Sequence, residues 1–198
     1  MEYLFTIFHR LNAGGIKLNN QEIRNCIYGG PLNELLHIMD EYVPWRKINR
    51  MKEGKKYRFV KQEIILRFFA FLERPDRYTG QIAKFLNDYM AENRNIDVDD
   101  IEAKTEIFQR TIDFLSKKVF PEGPDGRIPT SVLESALVAI AKNIDFLDGI
   151  RADQARSRYR KLREHEQFKE EAVAEGLSKV DKVTRRFAVA DELFSPTA

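Results

Sequence analysis

Cysteine is nearly absent: Cys26 is the only one in 198 residues, so no disulfide can form within the chain and no thiolate metal site can be built. Histidine is scarce too. His9, His37 and His165 are scattered, which argues against a zinc centre or a His-Asn-His nuclease finger and leaves the expected metal ligands as none. No apolar run is long enough to span a bilayer, and the N-terminus lacks a basic flank and a small-residue cleavage site. These features lead us to expect a cytoplasmic protein with no membrane partner. A P-loop is also missing, because Gly14-Gly15-Ile16-Lys17 has neither the required glycine spacing nor a Lys-Ser/Thr ending.

What the chain does have is charge and apolar periodicity. Hydrophobic residues make up 43% and charged residues 32%, a composition suited to a charge-rich globular protein. The net charge of +2 is too mild to imply a nucleic-acid partner by itself. Its distribution says more. Residues 46–58 hold Arg46, Lys47, Arg50, Lys52, Lys55, Lys56 and Arg58 against Glu53 alone, interleaved with Trp45, Tyr57 and Phe59. Residues 151–163 hold Arg151, Arg156, Arg158, Arg160, Lys161 and Arg163 against Asp153. Such mixtures suit phosphate contact and base stacking, although a charge run is more often a solvated face.

Helical spacing runs through nearly the whole chain, and the fold class expected is all-α, a multi-helix bundle. Tyr3, Leu4, Ile7, Phe8 and Leu11 mark a first helix over residues 2–11, stopped by Gly14 and Gly15. Asn19 stands three residues before Glu22, the spacing of a capping box, and starts a helix that runs to about Tyr28. Leu32, Leu35, Leu36 and Met39 mark the next. Val43-Pro44-Trp45 and the basic stretch after it read as a loop, with Tyr57–Val60 the best candidate for a short strand or hairpin. A helix near residues 60–72 is apolar on most faces and should lie at the centre. Asp97 to Asp100 place acids at a helix start, so Glu102-Ala103-Lys104 reads as part of a helix rather than as a nuclease acid-x-Lys pair on a strand. Pro121 to Pro129 is the clearest break. It suggests a lobe over residues 1–120 and a C-terminal helical subdomain over 121–198, the latter starting with a second capping box at Ser131 and Glu134.

The run Phe8-His9-Arg10-Leu11-Asn12-Ala13-Gly14-Gly15-Ile16-Lys17-Leu18-Asn19-Asn20-Gln21-Glu22-Ile23-Arg24-Asn25 resembles, over eighteen positions, the signature of domain of unknown function 262. This is the family of the GmrS half of the GmrSD modification-dependent restriction enzymes. The later order of Trp45, Ile64-Ile65-Leu66-Arg67-Phe68-Phe69, Tyr78-x-Gly80 and Phe85-Leu86-Asn87 is similar as well. The resemblance implies a helical lobe that follows an α/β lobe bearing an Asp-Gly-Gln-Gln-Arg motif linked to nucleotide hydrolysis, often with a nuclease domain beyond. Neither that motif nor a nuclease finger occurs in this sequence.

The expected role is therefore a non-catalytic helical lobe of a phage-defence system. Its expected partner is an α/β lobe from another chain or a second copy, and DNA is a further candidate partner. No cofactor is expected in this chain itself; nucleotide and magnesium belong to the complete assembly. The resemblance marks Arg10, Asn12, Gly14, Gly15, Gln21, Arg24 and Asn25 as a loop facing nucleotide or partner, with Glu22 beside them. For each, a structural role competes: Asn12 can cap the loop, and Arg24 can pair with Glu22 or another acid. The competing reading of the whole chain is a stand-alone nucleic-acid-binding module using residues 46–58 and 151–163.

Overall fold

A computed structural model describes Ile7 and residues 18–51, 58–169 and 176–197. Among these the chain is all-α, with no strand and no helix long and apolar enough to cross a membrane. The helix expected over residues 2–11 and the paired-glycine bend fall outside the described residues, Ile7 excepted.

Helix α1, Asn20–Ile27, starts as the spacing predicts: the Asn19 side chain accepts the amide N–H groups of Gln21 and Glu22, and Glu22 accepts that of Asn19 at 2.7 Å. A turn through Gly30 leads to α2, Pro31–Asp40. Gly30 has φ of 151°, and a Cβ there would lie 2.8 Å from the Arg94 carbonyl oxygen, so glycine alone fits. Residues 43–45, expected in a loop, instead begin α3, Val43–Ile48. Proline is compatible with the first turn of a helix, and burial of Trp45 and Ile48 on one face supplies the stabilisation. The Trp45 indole N–H also reaches Asp40 at 3.2 Å.

The strand considered near residues 57–60 is not there: Val60 opens α4, Val60–Glu73, and Tyr57 is outside the described residues. Helix α4 is the expected centre, packed against α2 and, further on, α7. Its Ile65, Leu66, Phe68 and Phe69 are fully buried, and each such side chain is worth about 1.5–3 kcal/mol of transfer free energy. A 3-10 turn, Pro75–Arg77, leads to α5, Ile82–Glu92. Asp97 caps α6, Val98–Asp113, by accepting the Asp100 N–H at 2.9 Å.

Helix α6 then widens into a π-helix, Phe114–Val119, and the Phe120 N–H closes onto the Leu115 carbonyl five residues back. Helix α7, Thr130–Lys142, is buried along nearly its whole length. The capping box expected at Ser131 and Glu134 does not form. The helix begins two residues earlier, with Pro129 at the N-cap position and no side-chain cap, and the Glu134 carboxylate turns inward to Arg67. Short α8, Ile144–Leu147, then α9, Ala152–Glu164, and α10, Val180–Phe194, complete the bundle. One hydrophobic cluster joins side chains from Tyr28 to Phe194.

Candidate functional site

The polar residues of α1 point into the protein. Arg24, 1% exposed, donates to Glu63 Oε2 at 2.8 Å, to Gln21 Oε1 at 3.0 Å and to Asn87 Oδ1 at 3.0 Å. Gln21 and Asn25 both donate to Gln62 Oε1, at 3.3 and 2.8 Å, and Gln21 also donates to Asn25 Oδ1 at 3.0 Å. Glu63 also accepts from Arg67, one turn on along α4, at 2.9 Å. Arg67 reaches across to Glu134 on α7 at 3.2 Å. A continuous polar spine thus ties α1 to α4 and α4 to α7. Every member is bonded to another because an unpaired buried charge costs several kcal/mol.

Environment sets the protonation of the spine. Burial pushes the Glu63 carboxyl up, but Arg67 and Arg24 outweigh it and leave it below the usual range. For Glu134 burial wins over Arg67 and raises it. Burial also lowers Arg24 despite the attraction of Glu63.

The far end of the spine opens on a pocket of about 420 Å³, lined by Arg67, Tyr78, Ser131, Glu134 and Arg186 among apolar side chains such as Phe71. Arg186 is buried and donates to the Leu177 carbonyl at 2.7 Å, and the Tyr78 hydroxyl donates to the Ser178 carbonyl at 2.6 Å. Two guanidinium groups beside a carboxyl with a raised pKa can hold a small anion carrying an apolar body. Among the described residues no group of three or more His, Cys, Asp or Glu is placed to hold a metal ion.

The two basic stretches have different fates. Arg46 pairs with Glu41 at 2.9 Å, and Arg58 grips Glu22 through two bonds of 3.0 and 2.6 Å while its carbonyl accepts from Asn19. Lys47 donates to the Pro121 carbonyl at 2.5 Å and Arg50 to the Asp125 carbonyl at 3.1 Å, so both hold the loop after the π-helix. Lys52, Lys55 and Lys56 lie outside the described residues, as do Arg10, Asn12, Gly14 and Gly15. On α9, Arg158 turns to the Leu193 and Ser195 carbonyls at 2.8 Å each and stacks over Phe146. Arg156 and Arg160, by contrast, line a second pocket of about 330 Å³ beside residues 119–129.

The sequence analysis does not single out Glu63 and Arg186 in the spine and its pocket, or Arg127 and Tyr159 in the α9 cleft, and it gives Arg67, Asn87 and Glu134 no part in a site. One signal does exist: Glu63 and Arg67 are an i,i+4 ion pair inside a largely apolar helix. No family model, no curated protein and no solved structure matches this chain.

Proposed function

We propose that this chain is the helical, non-catalytic lobe of a phage-defence restriction assembly of the kind its signature resembles. It presents a rigid surface to an α/β lobe that carries the nucleotide motif, supplied by another chain or a second copy. One observation supports this most: Gln21, Arg24 and Asn25 are used inside the chain, bracing α1 against α4 through Gln62 and Glu63. Residues placed in this way fix the pose of a helix rather than turn over a substrate. Nucleotide and magnesium belong to the partner lobe. The test is to mix the purified chain with an α/β protein bearing the motif, from a neighbouring reading frame, and to follow sedimentation and nucleotide hydrolysis. The expected result is a complex that hydrolyses nucleotide while this chain alone is inert. Turnover by the isolated chain with magnesium, or failure to associate with that protein and with itself, would sink the proposal.

A second reading, a stand-alone nucleic-acid-binding module, is favoured by the α9 cleft, where Arg127, Arg156, Arg160 and Arg163 gather. It predicts affinity for DNA that falls steeply with salt.

A further inference from the structure

We propose that the cleft between residues 119–129 and α9 is a phosphate site that holds the backbone of a nucleic-acid strand without reading its bases. The inference rests on the nucleic-acid reading and assigns it a location.

Helix α9 places Arg156, Arg160 and Arg163 at i, i+4 and i+7, on one face, over a rise of about 10 Å. Like charges at these spacings oppose helix formation. Among the described residues none of the three, nor Arg127 across the cleft, forms an ion pair. Arg156 makes one long bond of 3.4 Å to the Lys118 carbonyl. Elsewhere the same side chain finds acids readily, as Arg151 does with Asp153 at the start of the same helix. Two carboxylates, Glu122 and Asp125, also face the cleft, so four arginines against two acids leave two positive charges in excess.

The opposite wall is held in position from behind, by Lys47 on the Pro121 carbonyl and Arg50 on the Asp125 carbonyl. Residues from both basic stretches of the sequence therefore build one feature, one as support and the other as lining. Guanidinium forks spaced along 10 Å suit a row of phosphates better than a single carboxylate (rise again about 1.5 Å per residue). Tyr159 forms part of the lining, with its phenol pushed up to about 12 by burial, so it stays a neutral donor. Its ring meets Phe120 in a T-shaped contact at 4.8 Å and is itself buried, so Tyr159 offers no open face to a base.

The test is fluorescence anisotropy of the full chain with labelled single-stranded and duplex DNA of several sequences, at low and physiological salt. ATP and inorganic phosphate serve as separate ligands. Arg160→Glu with Arg163→Glu is compared with Arg160→Gln with Arg163→Gln, and with Arg185→Glu as an exposed control outside the cleft. The expected result is strand binding indifferent to sequence and weakened about tenfold or more by the double reversal, with a salt slope shallower by about two, and no change in the control. The glutamine pair should show a smaller loss in the same direction. Strand binding that ignores both double variants overturns the cleft and leaves the nucleic-acid reading standing. ATP or phosphate binding that the double reversal abolishes, without strand binding, overturns the strand as the source. Absence of all binding overturns site and reading together.

Discussion

Arg24 and Arg160 sit on short, charge-bearing helices and look alike in the sequence, yet the protein uses them in opposite ways. Arg24 is buried and spends its donors on Glu63, Gln21 and Asn87. Arg160 is exposed on a cleft wall, among three other arginines and with no ion pair among the described residues. Burial makes the difference. A guanidinium taken out of water must be matched by a carboxylate and hydrogen bonds, whereas one at the surface remains solvated and can wait for a ligand. Whether an arginine is framework or contact is therefore decided by where its nearest acid lies.

The comparison can be broken most forcefully at Glu63. Replacing it with Gln leaves Arg24 buried without a carboxylate and should cost about 3 kcal/mol, near the low end for a buried pair because Glu63 keeps some exposure. Urea midpoints measure this; a loss below about 1 kcal/mol would mean the spine is not structural. The same carboxyl gives a pH signature. Its folded pKa is depressed, so its stabilisation is present above the unfolded value of about 4.3 and is lost as pH falls through the folded value. Glu134 runs the other way: its folded pKa is raised, so its contribution is complete below about 4.3 and is lost as pH rises through the folded value. The Glu63→Gln protein should consequently show a flatter acid limb in its stability profile, and an unchanged limb would exclude Glu63 as its cause.

Arg24→Met keeps the apolar stem but strands the acceptors of Asn87 and Gln21, for an expected loss of about 1–3 kcal/mol in the same assay. Asn19→Ala removes the cap of α1 and should cost about 1 kcal/mol, visible as a lowered melting temperature. The smallest effect is expected on the other side of the comparison. Arg160→Glu should shift stability by no more than about 0.5 kcal/mol, in the favourable direction, because it relieves repulsion from Arg156 and Arg163. A large destabilisation would show that Arg160 belongs to the framework after all.

The fold class and the inner face of α4 were legible because apolar periodicity is a local signal carried by consecutive turns. The Asn19–Glu22 cap was legible for the same reason, since both partners lie within one turn. Ser131 and Glu134 carry the same pattern and form no such cap, because the Glu134 carboxylate is bonded to Arg67 on another helix. Nothing near residue 134 in the sequence announces that partner. Residues 43–45 read as a loop but form the first turn of α3, where proline is tolerated, and the burial of Trp45 depends on packing that no short window contains. Of the candidate site, the residue types around α1 were legible, while their inward direction was not. The α9 cleft was half legible, as a charged helix without its facing loop.

The π-helix at Phe114–Val119 gives this architecture an unusual sensitivity to chain length. A wide turn already holds one residue more than the α-helical ladder needs, so a further residue inserted there would be added to the helix itself. Everything beyond would then be rotated by about 100°, the angle one residue subtends on a helix. The Pro121 carbonyl would swing out of reach of Lys47, and the arginines of α9 would lose the wall they face. Substitutions in this stretch can be absorbed by repacking, but an added residue cannot, and insertions there should be far less tolerated than in the turn at residues 93–96.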